Sequence, residues 1–339
     1  MASAAQKRIK SISYAKWGYI FILPFFLVYG FFQIWPLINT FILSVYGNAN
    51  TQTDFVGAAN FQAILFGAGK GGAAIQAKFM KSMVTTVVLW FGNFLPQILL
   101  SLLLAVWFTD EKLKIRGKGF FKVVMYLPNI ITAASVAALY LSLFGNTKYG
   151  AVNSLLISMG AITQPIKFVK GVAWARGLVM FIQTWLWFGN TTIMLMSGIM
   201  GINPSLFEAA NIDGANSRQV FFHITLPLLQ PIMVYTLITS MIGGLQMFDI
   251  PYMFHEGNDP ENHLRTAAVF VYENFAMAEK KRQYGYAAAA SVILFIITAI
   301  LGSFTFYMNR DKDEIRRKKR NKEAKKALKA QMAAAKEAF

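Results

Sequence analysis

NPSLFEAANIDGANSRQVFFHITLPLLQP, residues 203–231, lies between two strongly apolar runs and is the one long segment whose side chains suggest something other than crossing lipid. Asn203 can cap the free N–H groups of a short helix, Pro204 suits its first turn, and Glu208 and Asp213 favour a helix end or the donors of a partner. Gly214 allows a turn. A second short helix can begin at Asn216 or Ser217, carry Val220, Phe221 and Ile224 on one face, and stop where Pro227 withdraws its N–H. The expected product is a helix-turn-helix on a membrane surface.

Outward from this stretch the chain is greasy. Of 339 residues, 55% are hydrophobic and only 14% charged, a balance suited to a bilayer and not to a soluble globular domain. Charge-free runs occupy residues 17–50, 82–109, 123–147, 177–207, 219–248 and 283–309. Each exceeds the ~20 residues a helix needs to cross ~30 Å of hydrocarbon, so six spans are expected. Residues 149–166 are also uncharged, but Gly150, Asn153, Gly160 and Pro165 interrupt them, and their short apolar core suits an interfacial helix, not a seventh span. The first run is too long for a cleaved signal peptide and shows no small-residue cleavage site, so it reads as an uncleaved span. Between Asp54 and Lys81 the composition turns polar and glycine-rich, and a flexible external loop is expected there. Its GAGKGG is no phosphate loop, because Ile64 and Gly71 stand where a Walker A motif needs glycine and Ser or Thr.

The net charge of +17 could suggest nucleic acid, but the positions of the basic residues favour membrane orientation. With both termini inside, the inner side holds 4 basic residues before the first run, 5 in residues 110–122, 1 in the central loop and 12 after Asn309. That leaves 11 of the 33 for three longer outer loops. A seventh span would put Glu208 outside and spoil the bias. Cysteine is absent, which excludes disulfides and thiolate metal sites. His223, His255 and His263 have no metal-ligand spacing, and no nucleophile has an evident base, so neither a metal site nor a catalytic residue is expected.

The central stretch resembles the EAA loop of permease subunits in binding-protein-dependent ABC importers, whose core reads E-A-A, then D-G about three residues on, then I-x-L-P. Here these are Glu208, Ala209, Ala210, Asp213, Gly214, Ile224, Leu226 and Pro227. FILPFFLVYGFFQIWPLINTFILSVYG at 21–47, NFQAIL at 60–65 and YLPNIITAASVAALYLSLFGNTKYGAVNSLL at 126–156 are similar to the carbohydrate (maltose/sugar-type) branch. The resemblance runs from Trp17 to about Asn309. It departs after the fifth span, where Gly257, Asn258, Asp259 and Pro260 replace the family's Gly-Gly-Pro turn.

What this resemblance implies is a type I ABC importer permease fold: an all-α integral membrane protein of six transmembrane helices with a cytoplasmic helix-turn-helix that couples to an ATPase. Residues 1–16 would be cytoplasmic, 17–309 the permease domain with its loop at 203–231, and 310–339 a basic cytoplasmic tail, either laid on the inner leaflet or solvated. The implied partners are a second, related but non-identical permease, two ATPase subunits that hold the ATP and Mg, an extracellular solute-binding protein and membrane lipids. The chain itself would need no cofactor and bind no nucleic acid. It would sit as a multi-pass protein in the bacterial cytoplasmic membrane and import a sugar or oligosaccharide.

Polar residues inside spans are the candidates for a substrate path. Gln183, Trp187 and Asn190 fall at i, i+4 and i+7, which sets two amides and an aromatic face on one stripe. Sugars suit such a surface, because hydroxyls need donors and acceptors while C–H faces lie on aromatic rings; helix-to-helix hydrogen bonding explains the same residues equally well. By resemblance the cavity is lined by the third, fourth and fifth helices, which adds Asn129, Gln246 and Asp249, the last near the outer interface. Gly243 and Gly244 could open space for a ligand or let helices pack closely. Trp17, Trp35, Trp90, Trp107 and Trp174 read as interfacial anchors. Two rival readings remain. A self-sufficient ion-coupled secondary transporter should show ionisable residues or paired broken helices within its spans, and a membrane enzyme should show clustered catalytic groups.

Overall fold

Apolar runs become helices throughout the computed structural model, which describes residues 15–47, 54–110, 113, 115–255, 263–276, 283–308, 320, 321, 323 and 324. Among these residues no strand forms, and one isolated bridge joins Tyr46 to Phe55. Helical stretches long and apolar enough to cross a membrane are Trp17–Ser44, Gly72–Thr109, Val172–Met200, Ser217–Phe254 and Tyr284–Tyr307. The pair Lys118–Ile130 and Ala133–Leu143 makes a sixth if it is one broken span, bent by 93°. The protein is a multi-pass, all-α membrane protein.

That bend departs from the straight third span expected over 123–147. Pro128 lacks an N–H near the end of the first helix, Ile131 is extended at φ −72° and ψ 135°, and the Thr132 side chain caps the second helix by accepting the Ser135 N–H. Two local signals, a proline and an N-cap, thus override the continuous apolar pattern.

The chain divides into two units. One comprises residues 1–83 and 267–295. Here the flexible loop expected over 54–81 is instead helix Ala59–Phe66, a tight turn, and the start of Gly72–Thr109. Asn60 holds this region by donating its amide to the carbonyls of Ser44 at 2.9 Å and Tyr46 at 2.7 Å, and Gln76 donates to Leu65 at 2.7 Å. Gly67 ends its helix in the left-handed region at φ 70°, so the glycines shape a corner between helices. Phe79 and Phe270 pack edge to face within the same unit.

The other unit comprises residues 84–266 and 296–339. Its centre is Val172–Met200. Lipid tails are as apolar as leucine, so close packing and hydrogen bonds must bring these helices together. Gly92 leaves room for Met180, and a Cβ on Gly189 would overlap the backbone of Met125 and Tyr126. Gln97 donates to Thr191 at 2.8 Å, Ser101 to the Phe188 carbonyl at 2.9 Å, and Thr184 to the Asn93 carbonyl at 3.1 Å. Apolar clusters flank this seam, one containing Leu89, Val179, Ile182 and Phe254, another Ala105, Leu195 and Leu229.

Trp90 is corrected by this packing. It is no interfacial anchor: it lies mid-helix in Gly72–Thr109, against Gly244, and its indole N–H donates to Ser240 at 3.2 Å. Gly244 therefore serves helix packing, while Gly243 faces open space. Trp17, Trp35, Trp107 and Trp174 are each about half exposed.

Candidate functional site

The central loop is built by its own polar residues. Asn203 accepts the Ser205 N–H at 3.1 Å and Pro204 takes the first turn, so helix Pro204–Ile212 starts as its sequence suggests. At its far end Gly214 adopts φ 73°; the Ala215 N–H reaches the Ala210 carbonyl at 2.9 Å and the Gly214 N–H the Asn211 carbonyl at 3.2 Å. This is a Schellman closure, which needs a glycine. One residue later a second helix opens with a reciprocal cap. The Asn216 side chain accepts from the Gln219 N–H at 2.9 Å, and the Gln219 side chain from the Asn216 N–H at 2.8 Å. Both arms of the elbow are thereby fixed without outside help.

Glu208, Ala209, Asp213 and Gly214 are exposed on this elbow, whereas Ala210 is buried beneath it. Neither carboxylate has a hydrogen bond or ion pair among the described residues. Asp213 is the C-cap of its helix, at the negative end of the dipole, so its own helix does not stabilise its charge. Arg218 lies over the Phe222 ring at 5.9 Å, and His223 Nδ1 is 3.0 Å from the Gln219 carbonyl, a local contact of the kind expected.

The second helix does not stop at Pro227, contrary to expectation. Ser217–Val220 passes through a π-helical turn, Phe221–Thr225, into Leu226–Leu245. The Leu226 N–H bonds the Phe221 carbonyl five residues back, and this wider turn absorbs the missing N–H of Pro227. Val220, Phe221 and Ile224 share the partly buried face as expected, while Phe222 and His223 are exposed. The loop is thus continuous with the next span, the whole reading as Ser217–Phe254.

Behind the elbow lies a cleft of about 480 Å³, whose lining includes Thr109, Asp110, Ile199, Glu208, Asn211 and Phe221. Asp110 and Asn211 in this lining carried no reading from the sequence. The N-x-x-Q capping signal at Asn216 was readable; the cleft, which brings residues 106–110 against residues 199–225, was not.

Of the span residues, Gln183 is 9% exposed, Asn190 is half-buried and Trp187 is 48% exposed, all on Val172–Met200. The side chains of Gln183, Trp187, Asn190 and Gln246 make no hydrogen bond among the described residues. The amides at the helix seam behave differently, since Asn93 and Gln97 are buried and bonded. Asn129 belongs with this bonded group, because it donates to the Leu186 carbonyl at 3.3 Å. Gln246 and Asp249 do not share a helical face. Leu226–Leu245 ends at Gln246, and Asp249 is exposed in the first turn of a new helix, Asp249–His255. One charge was missed at the start of the fourth span. Arg176 lies inside Val172–Met200 and donates to the His263 carbonyl at 3.1 Å and to Thr85 at 3.2 Å.

Residues 63–313 match the family described as binding-protein-dependent transport system inner membrane component. The lactose transport system permease protein LacF of Rhizobium radiobacter is 29% identical over 92% of this chain and 100% of its own. The arabinooligosaccharides transport system permease protein AraP of Bacillus subtilis is 28% identical over 88% of this chain and 91% of its own. In fold, a chain from a bacterial ABC transporter involved in the import of the acidic polysaccharide alginate superposes with a TM-score of 0.71 at 22% identity, covering 91% of this chain and 99% of that one.

Proposed function

Because the chain belongs to the binding-protein-dependent transport system inner membrane components, we propose that it is one of two permease subunits of an ATP-driven importer for a sugar or oligosaccharide. Membership of that family supports this reading over the self-sufficient carrier and the membrane enzyme. The sugar follows from relatives named for lactose and arabinooligosaccharides. An extracellular binding protein delivers the solute, and a second, non-identical permease completes the pathway. Two ATPase subunits carry the ATP and Mg, so this chain performs no catalysis and needs no cofactor. Residues 17–309 form the permease domain, with both termini and the basic tail of 310–339 in the cytoplasm.

The observation that carries the coupling role is the elbow at Gly214. It presents Glu208, Ala209 and Asp213 outward from a loop closed by its own caps and continuous with the next span. A docked ATPase that closes on ATP moves this loop as a lever, and the π turn with Leu226 and Pro227 passes the motion to the membrane helix. In the membrane, Gln183, Trp187, Asn190 and Gln246 serve the solute, since their amides and indole make no hydrogen bond among the described residues. Asn129 supports the path by bracing the broken third span, and Asp249 sits at the margin of the path.

Gly214→Val tests the lever. A β-branched residue in the left-handed region costs about 1–2 kcal/mol and deforms the elbow. Uptake of the sugar retained by the external binding protein should fall to background and the ATPase should no longer copurify, while the chain remains in the membrane at normal level. Glu208→Lys should do the same with the elbow intact. Wild-type uptake and ATPase retention in both variants would overturn the coupling role.

A further inference from the structure

In the orientation read above, the outer side of the chain carries positive charge that nearby sequence does not balance. From Val123 to Phe207 there is no Asp or Glu, yet Lys148, Lys167, Lys170 and Arg176 all fall there. Cations in short loops hold a segment on the inner side, so four of them on a translocated stretch run against the orientation signal and call for another use. The three lysines are exposed, and Lys148 lies 5.2 Å over the Tyr149 ring. None of the four cations has an ion pair among the described residues.

Arg176 differs from the lysines in its place. It is half-buried on Val172–Met200, seven residues before Gln183, so it extends outward, by two turns or ~10 Å, the face that carries Gln183, Trp187 and Asn190. Packing within the unit of residues 84–266 and 296–339 fixes it. Nε donates to the His263 carbonyl at 3.1 Å and Nη2 to the Thr85 hydroxyl at 3.2 Å. Both acceptors are neutral, and Nη1 makes no hydrogen bond among the described residues. Asp249, at the margin of the path, does not neutralise it, since it too has no ion pair among them. A half-buried guanidinium held by neutral acceptors keeps its charge and loses part of its hydration, a cost that an incoming anion offsets.

We infer that the imported saccharide carries a carboxylate, and that Arg176 reads it at the outer end of the path. The inference rests on the importer reading above and narrows its substrate from sugars in general to acidic ones. Arg suits this task because its planar donors can meet both oxygens of a carboxylate, whereas a neutral hydroxyl gains little from the charge. The exposed lysines raise the local concentration of an anion, and Arg176, already held in place, receives it with little side-chain entropy left to lose.

The test begins with the solute. The extracellular binding protein of the same transport system is offered a mixture of neutral and uronic-acid oligosaccharides, and what it retains is identified by mass spectrometry. Retention of a uronic-acid saccharide is expected; retention of neutral sugars alone would overturn the inference. The retained saccharide is then the probe for uptake into vesicles that contain the full chain with its partners. Arg176→Gln should lower uptake per assembled transporter about tenfold, the scale of one hydrogen bond to a charged group, and Arg176→Lys should recover much of it. If Arg176 only ties helices together, the two variants fall alike, and equal uptake by both would overturn the inference. ATP hydrolysis stimulated by the binding protein should be unchanged in both; a parallel fall there would assign Arg176 to docking and overturn it as well. The retained saccharide is identified with unaltered proteins, so the inference can fail even where a variant does not assemble. Uptake that needs neither binding protein nor ATPase would sink the importer reading itself, whereas ATP-driven uptake of neutral sugars alone sinks only the acidic one.

Discussion

Trp17–Ser44 and Val172–Met200 are nearly the same length, 28 and 29 residues, and both are apolar enough to span a membrane. None of the first helix's most apolar window is buried, against 50% for the other. The difference lies in small and polar residues at defined places. Val172–Met200 has Gly189 against the Met125 backbone, Gly198 against Leu229 and Ile232, and Thr184 and Thr191 bonded across a seam. A Cβ on Gly18 or Gly30 of Trp17–Ser44 would meet nothing within 4 Å among the described residues. Apolarity therefore puts a helix in the membrane, and a few recessed or hydrogen-bonding positions decide whether it packs there.

The harshest way to break this comparison is to fill the recess. Gly189→Leu would drive a side chain into the Met125 and Tyr126 backbone, which cannot rotate away as a side chain could. Overpacking costs about 1–3 kcal/mol even where side chains can shift, so this variant should lose most of its folded, monodisperse yield in detergent. Gly18→Leu, on the open helix, should be indistinguishable from wild type by the same chromatography. Equal yields for the two leucine variants would remove the distinction between the helices.

The same contrast shows what could be read without coordinates. Span positions, the inward-facing face of the loop, the Asn203 cap and the Gly214 turn all arise from neighbours within a few residues, and they were legible. The 93° break was half legible, since Pro128 and Thr132 are ordinary punctuation hidden inside an apolar run. Trp90 misled because an aromatic anchor and an aromatic packed on a distant glycine are the same letter; Gly244 is 154 residues away. The i, i+4, i+7 stripe placed Gln183, Trp187 and Asn190 on one helix, but it could not show that Asn93, Gln97 and Asn129 are bonded while these make no hydrogen bond among the described residues. Partner choice is a long-range property, so helix-to-helix amides and ligand-facing amides look alike in one dimension.

A gentler intervention sharpens that last distinction. Gln97→Leu removes a buried donor to Thr191, whose hydroxyl keeps only its own bond to the Trp187 carbonyl, so it should lower thermal stability by about 1 kcal/mol, read as a fall in the aggregation midpoint of the purified complex. Gln183→Ala and Trp187→Ala should leave that midpoint nearly unchanged and instead reduce uptake several-fold or alter the preferred sugar. Should Gln183→Ala destabilise the complex as much as Gln97→Leu while transport per folded molecule stays normal, both amides are structural and the substrate path must lie elsewhere.

The smallest expected effect is also the most diagnostic for the open helix. Phe21 is 81% exposed, among the most exposed of the large apolar side chains, and Phe21→Leu exchanges one lipid-compatible surface for another. Its effect on folded yield should fall within the ~0.5 kcal/mol typical of exposed substitutions. A larger loss would mean that the helix is covered along its length and is not the open member of the comparison. No loss at Phe21 together with the loss expected at Gly189 would mean that an apolar surface without recesses tolerates exchange where a recessed one does not.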